Sequence, residues 1–421
     1  FMNGFTSAPS CAPSRASVLT GRHFWQNEQG GFIQAFIPKT TPIVTRILAD
    51  HGYQVGRTGK GWGPGSHAKL GIPSDALGKS FMSEKISDPP EGVRDIDYAA
   101  NFDRFLEWRD PKRPFFFWAG IIEPHEPSGP ENYKLLEEEF GVTLDQVSLP
   151  PFMEDTVSNR RKRGNFVYEI CRADTHLARM LTSLEAAGLL DNTIVVVTSD
   201  NGTAVIHDGL QRGKASPYDV GVHEPLAMMW PRRIKPGRTV TDFVSFADFA
   251  PTFLEMAGLE APESMTGRSL LPILDSEKSG RIEAERDFIM TGLEWHGEFD
   301  PESRSSRSIR DDRFSYVVRY DNVDAEGKPL DNEALMKASK VEFYDLKADP
   351  WELNDLADDP KFAAEKKRLA DKMRKVGMES GDPRVTGDMD LFRKTRRYVQ
   401  KRKRMGYKKS ASLPFDEANT K

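Results

Sequence analysis

Apolar residues along the chain alternate between two rhythms. Ile43, Val44, Ile47 and Leu48 stand at helical spacing and predict a helix over residues 40–48. His51 and Gly52 end it, and residues 53–58 have the pattern of a strand. Residues 98–108 form an amphipathic helix pattern stopped by Asp110 and Pro111. The apolar run 114–122 predicts a buried strand, and residues 165–187 a long helix closed by Gly188. Residues 193–198 are all β-branched, as in a parallel strand buried on both faces. A short apolar strand at 225–230 and a helix at 249–257 follow. Strands alternating with helices predict an α/β fold: a large, mostly parallel mixed sheet sandwiched by helices.

The texture changes near residue 290. Residues 304–310 and 313–320 resemble antiparallel strands around the turn-prone Asp311 and Asp312, with a further strand at 341–346 and a helix at 360–376. This divides the chain into a catalytic α/β domain at 1–290, a smaller C-terminal α+β domain at 291–390, and a basic tail at 391–421. The tail suits either solvation or contact with a polyanion.

Composition narrows the classes. At 421 residues and 38% hydrophobic, the chain has enough apolar material for a core, which excludes wholesale disorder. A net charge of −5 gives no global basic field, so no nucleic-acid partner is expected. No apolar run nears the roughly 18 residues of a membrane span, so no membrane partner is expected. Two cysteines exclude a disulfide framework and an all-cysteine zinc site. Phe1 to Gly4 match neither a signal peptide nor a usual start, as if the sequence began inside a longer protein.

Five clusters carry candidate chemistry. Cys11 sits among proline, serine and arginine; it suits a small buried hydrophobe or a reactive thiol with Arg15 beside an anion. Lys60 lies in a glycine-rich loop after a strand, exposed or reaching an oxyanion. His125 is held between Pro124 and Pro127. Asp200 and Asn201 directly follow a strand, as a turn or as oxygen ligands for a hard cation at the carboxyl end of a sheet. Lys214 and His223 belong to the fifth cluster, residues 213–226.

Cys11, Pro13, Ser14 and Arg15, followed by Leu19, Thr20, Gly21 and Arg22, resemble the signature of the type I sulfatases. The other four clusters occur in that family's order, and the resemblance continues through residues 245–252, 267–272 and 343–350. Residues 224–226 and 266–272 are most similar to the heparan N-sulfatase (sulfamidase) branch. The resemblance implies an alkaline-phosphatase-like fold and hydrolysis of a sulfate ester or sulfamate, with a sulfated saccharide as substrate. It implies conversion of Cys11 to formylglycine by a maturation enzyme. It assigns Arg15, Lys60, His125 and Lys214 to the sulfate and leaving group, and His223 to the substrate. It makes Asp200, Asn201 and the modified Cys11 ligands of Ca²⁺ or Mg²⁺. It also implies a periplasmic or secreted protein. Cys171, inside the long helix, is expected to be structural.

Two departures matter. Where the family carries a second pocket histidine, this chain has Trp62, which is expected to offer the substrate an N–H or a stacking face but has no transferable proton. His67 is a candidate substitute from the same loop. The family's Asp-Asp pair, on a first strand ahead of the cysteine motif, has no counterpart among the ten residues before Cys11. That implies a fragment or an incomplete site, with weak Ca²⁺ binding and poor turnover. The alternatives are a phosphoester or phosphonate hydrolase of the same superfamily, or a catalytically impaired glycan-binding homologue.

Overall fold

Phe115 to Trp118 set the layering. In strand β4 (Phe115–Gly120) alternate side chains point to opposite faces. Phe116 and Trp118 pack against helices α1 (Cys11–Thr20), α2 (Val44–Asp50) and α7 (Phe249–Met256), with Ala16, Leu19, Val44, Leu48 and Leu254 at the centre. Phe115 and Phe117 pack on the other side, against α3 (Tyr98–Trp108) and α5 (Val157–Ala186), through Phe102, Phe105, Met180 and Leu184. The sheet is thus sandwiched between two helical layers. The computed structural model describes residues 1–33, 36–62, 76–203, 213–294, 305–326, 328 and 330–390; His67 and the basic tail 391–421 lie outside the described residues.

Strand β2 (Gln54–Gly59) runs parallel to β4, with Gly59 opposite Gly120, and parallel to the short β3 (Lys79–Ser80). Strand β1 (Asn3–Phe5) lies between β6 (His223–Glu224), antiparallel, and β8 (Phe243–Ser245), parallel. Strand β5 (Val195–Thr198) pairs antiparallel with β7 (Leu226–Met229), Thr198 opposite Leu226. This corrects the expectation of a parallel strand buried on both faces. Among the described residues β5 has no parallel neighbour, and Val197 is exposed. β4 and β5 instead line a common cavity of about 1820 Å³.

Helix α5 starts at Val157, earlier than its apolar pattern suggests. Four consecutive basic residues, Arg160 to Arg163, mask the periodicity there, and the Thr156 side chain caps the end by accepting from Asn159 N at 3.2 Å. Cys171 is half-buried on this helix against the Leu136, Val147 and Tyr168 cluster.

The C-terminal part is an antiparallel sheet of β9 (Phe288–Leu293), β10 (Ser305–Asp311), β11 (Phe314–Tyr320) and β12 (Ala338–Asp345), covered by the helix Ala363–Glu379. The expected hairpin turns at Asp311 and Asp312. Arg307 on β10 is fully buried between Glu294 (2.7 Å) and Asp382 (2.6 Å), and its guanidinium lies over Phe24. Phe24 and Trp25 follow α1, so this network ties the C-terminal sheet to the segment that carries Cys11.

Candidate active site

Cys11 is the first residue of α1, a helix that its proline- and serine-rich context does not predict. Pro13 is tolerated because the first helical turn leaves its N–H positions unbonded anyway. Gly21 closes the helix in the left-handed region (φ 64°), its N–H donating to Ser17 O at 3.0 Å. Every residue of α1 is buried, so no apolar stripe marks it in the sequence. The helix N-terminus presents its partial positive charge at Cys11.

Two lysines converge on the Cys11 sulfur. Lys60 Nζ lies 3.3 Å from Sγ and Lys214 Nζ 2.9 Å. Lys60 directly follows β2, where Gly59 takes φ +66°; a Cβ there would lie 2.1 Å from Gly120 O. Glycine at 59 therefore lets the chain cross β4 closely and aims Lys60 inward. His125 follows β4 and brings Nε2 to 3.4 Å from Lys214 Nζ. Its Nδ1 is 2.8 Å from Glu126 O. A carbonyl only accepts, so Nδ1 carries a proton. Glu123 secures this loop from beneath, accepting from Arg94 N and Tyr98 Oη, both at 2.8 Å.

Arg15, one turn along α1 from Cys11, donates to the Asp200 carboxylate and to Trp62 O at 3.2 Å. Lys60 Nζ is also 3.7 Å from Asp200. Burial would raise the Asp200 pKa, but Arg15, Lys60, Lys214 and His125 together hold it below the usual carboxylate value. Burial likewise raises the Cys11 thiol. The His125 hydrogen bond and the two lysines overcome this, against opposition from Asp200, and bring it to about 6.

Asp200 and Asn201 follow β5, as expected for oxygen ligands at a strand's carboxyl end. Asn201 is 8% exposed; its Nδ2 donates to Gly202 O at 2.9 Å, while Oδ1 has no hydrogen-bond partner among the described residues. A buried amide oxygen left open beside a carboxylate fits a hard divalent cation. Among the described residues no group of three His, Cys, Asp or Glu is poised around one ion.

Cys11, Arg15, Lys60, His125, Asp200, Asn201 and Lys214 thus come together at one place. Trp62 and His223 do not share that role. Trp62 is fully buried, its Nε1 donating to Ala12 O at 3.2 Å. It braces α1 and Arg15 and shows no face to a ligand, which corrects its assignment to substrate binding. His223 stacks on Phe5 at 4.5 Å between ring centroids, with Nε2 2.7 Å from Met2 O. Sequence reasoning missed Glu224, which is 5% exposed, with Oε1 unpartnered among the described residues. Burial and the neighbouring Asp200 push its carboxyl well above the ordinary value, against a hydrogen bond with Ser199. The available signal was an acidic residue separated only by Pro225 from the apolar strand β7.

A mixed sheet between helical layers, with charged side chains gathered beyond its strand ends, is the alkaline-phosphatase-like α/β architecture. Among solved structures, one described as a complex with its substrate D-glucosamine-2-N,6-O-disulfate superposes with a TM-score of 0.69 at 22% identity, covering 90% of each chain. A phosphonate monoester hydrolase from Silicibacter pomeroyi superposes at 0.65, with 22% identity over 91% of this chain and 89% of that one. The sulfatase family model matches residues 1–259, and a model of the C-terminal region of N-sulphoglucosamine sulphohydrolase matches residues 213–379. The chain belongs to the sulfatase family. An ulvan-active sulfatase from Formosa agariphila is 28% identical, covering 91% of this chain and 73% of that protein. Human N-sulphoglucosamine sulphohydrolase is also 28% identical, covering 91% and 84%. The chain is accordingly a sulfate ester or sulfamate hydrolase, of the sulfamidase-like branch. Among the described residues no helix is long and apolar enough to cross a membrane.

Proposed function

We propose that the chain removes sulfate from a sulfated saccharide, with Cys11, converted to formylglycine, as the nucleophilic position. The observation that carries this is the convergence of Lys60 and Lys214 on the Cys11 sulfur, with His125 beside Lys214. Here Sγ marks where the oxygens of the modified residue stand. When formed, the hydrated aldehyde supplies one hydroxyl that attacks sulfur and a second whose deprotonation expels sulfate and restores the aldehyde. The protein's own groups do the rest. Lys60 and Lys214 offset the charge that builds on the sulfate oxygens. Lys214 and His125 hold a proton between Nζ and Nε2, within reach of the departing oxygen or nitrogen. Arg15 fixes Asp200 and, through Trp62, the start of α1.

Asp200 and Asn201 would hold a divalent cation, Ca²⁺ or Mg²⁺, which supplies further positive charge against the sulfate. Arg15 and Lys60 then share the Asp200 carboxylate with it. A saccharide substrate is supported by the relatives whose names specify ulvan and N-sulphoglucosamine. A periplasmic or secreted location accords with a polymeric sulfated substrate.

Mass spectrometry of the Cys11 peptide, paired with aryl sulfate and aryl phosphonate turnover, tests the proposal. The expected result is a thiol-to-aldehyde mass loss, sulfate release in excess of phosphonate cleavage, and no turnover by Cys11→Ala. An active Cys11→Ala protein ends the formylglycine reading. Preferential phosphonate cleavage favours the alternative chemistry of the superfamily.

A further inference from the structure

We infer that Tyr98 is a positioning residue of the active site: it fixes the turn after β4 that carries His125 against the turn after β2 that carries Lys60. The inference deepens the reading above, since it rests on His125 and Lys214 delivering a proton to the departing group. Three observations converge. The first is at the hydroxyl. Ile122 N donates to Tyr98 Oη at 3.1 Å, and Tyr98 Oη donates to Glu123 Oε2 at 2.8 Å. Those two residues are the last before Pro124 and His125. The hydroxyl has one proton, and an amide N–H on one side with a carboxylate on the other leaves it one way to point. Glu123 is 8% exposed, and its other oxygen accepts from Arg94 N at 2.8 Å. Burial first, and then the Glu123 charge, push the phenol well above its ordinary value, so it remains a donor across the neutral range.

The second observation is at the ring. Tyr98 is buried against Gly59, where a Cβ would come within 2.7 Å of Tyr98 Cε1. Gly59 immediately precedes Lys60, so one side chain touches the approaches to both groups. The third is what else holds them. Lys60 N donates to Gly120 O at 2.7 Å, and Trp118 Nε1 donates to Lys60 O at 3.2 Å, so the Lys60 turn is also bonded to β4 itself. The His125 turn leaves the sheet at Gly120. Beyond that point Ile122 N and the Glu123 carboxylate are held by Tyr98 and Arg94. Tyr98 is itself placed by the start of α3, where Asp97 accepts from Ala100 N and from Arg179 Nη2, both at 3.0 Å. Loss of the hydroxyl therefore releases the His125 turn and leaves Lys60 in place.

Leaving-group dependence tests this, in full-length proteins matched for formylglycine content. The 4-nitrophenolate ion departs without a proton, whereas the more basic phenolate gains from one; a positioned acid is worth about 10²–10⁴-fold, and misplacing it forfeits part of that. Tyr98→Phe keeps the ring on Gly59 and removes the hydroxyl. It should lower kcat/KM on phenyl sulfate by roughly tenfold or more and on 4-nitrophenyl sulfate by less than about threefold, with inhibition by inorganic sulfate unchanged. His125→Ala should show the same selectivity more strongly. Equal losses on the two esters in Tyr98→Phe, or none, overturn the inference, and a selective His125→Ala beside them leaves the proton reading standing. A His125→Ala loss without selectivity overturns that reading and this inference with it, as does absence of sulfate release by wild type. If Tyr98→Phe fails to fold, Glu123→Gln replaces it. That variant keeps an oxygen for Arg94 N, weakens the hold on Tyr98, and should lose roughly three- to tenfold on phenyl sulfate alone. Wild-type rates on both esters there refute the assignment.

Discussion

Lys214→Ala is the perturbation that separates electrostatic catalysis from simple substrate binding. The ammonium lies 2.9 Å from the Cys11 sulfur. Two unit charges at that distance interact by about 6 kcal/mol at an effective dielectric near 20. Removing the charge forfeits only part of this. Lys60 remains at 3.3 Å, and water enters the half-exposed site in place of the side chain. Retaining about half of the loss gives roughly 3 kcal/mol, a fall in kcat of about 10²-fold. Steady-state kinetics on an aryl sulfate, with formylglycine content matched between proteins, measures it. Lys214→Met, which keeps the stem without the charge, should fall equally, because the effect is charge and not packing. A change confined to KM would place Lys214 in uniform substrate binding. Rates within threefold of wild type in both variants would refute the placement of Lys214 against the reacting sulfate.

Three further outcomes follow from the same contacts. In protein prepared without conversion of Cys11, thiolate absorbance should titrate near pH 6, and Lys214→Ala should move the midpoint upward. Because that folded value lies below the unfolded one of 9.0, the thiolate's contribution to stability is full above about pH 9 and is lost as pH falls through 6. Glu169 is fully buried on α5, and burial chiefly, against a hydrogen bond with Ser128 and the charge of Arg94 and with the help of Glu123 and Glu126, raises it from 4.5 to about 7. Ionising it in the folded state is unfavourable, so stability should fall as pH rises from 4.5 to 7. Glu169→Gln should raise the melting temperature at about pH 8 and leave it unchanged below 4.5. Asp382→Ala leaves the buried Arg307 with Glu294 alone, a carboxylate it shares with Arg384, and should cost about 3 kcal/mol, read from urea midpoints.

Most of the scaffold was legible because its outer helices meet water on one side and its strands are continuous apolar runs. Helix α3 spans the expected Tyr98–Trp108, and β2, β4, β7, α7 and the C-terminal strands fall close to their apolar runs. What stayed hidden was hidden by burial or charge. Helix α1 is buried all round and rich in serine and proline, so neither period nor propensity shows it. The basic turn opening α5 covers its periodicity. The β-branched run of β5 was legible as a strand, but the direction of its partner depends on a long-range pairing with β7 that no local pattern encodes. At the site, Cys11, Lys60, His125, Asp200 and Lys214 stood out through motif spacing, although they are brought together only by folding. Glu224 has no motif, and nothing local in the sequence marks its burial. Trp62 shows the reverse: a residue type suited to stacking on a ligand is used inside the protein as a hydrogen-bonded brace.

Arg307 works as a rivet between distant parts of the chain. It stands on β10 of the C-terminal sheet, yet its guanidinium lies over Phe24, in the segment that follows α1, and is locked by Glu294 and Asp382. Phe24 N in turn donates to the Ser7 hydroxyl, a few residues ahead of Cys11. Slack introduced at the C-terminal sheet therefore has a short buried route to the start of α1, and a substitution far from Cys11 in sequence can shift its setting without touching any residue around the sulfur.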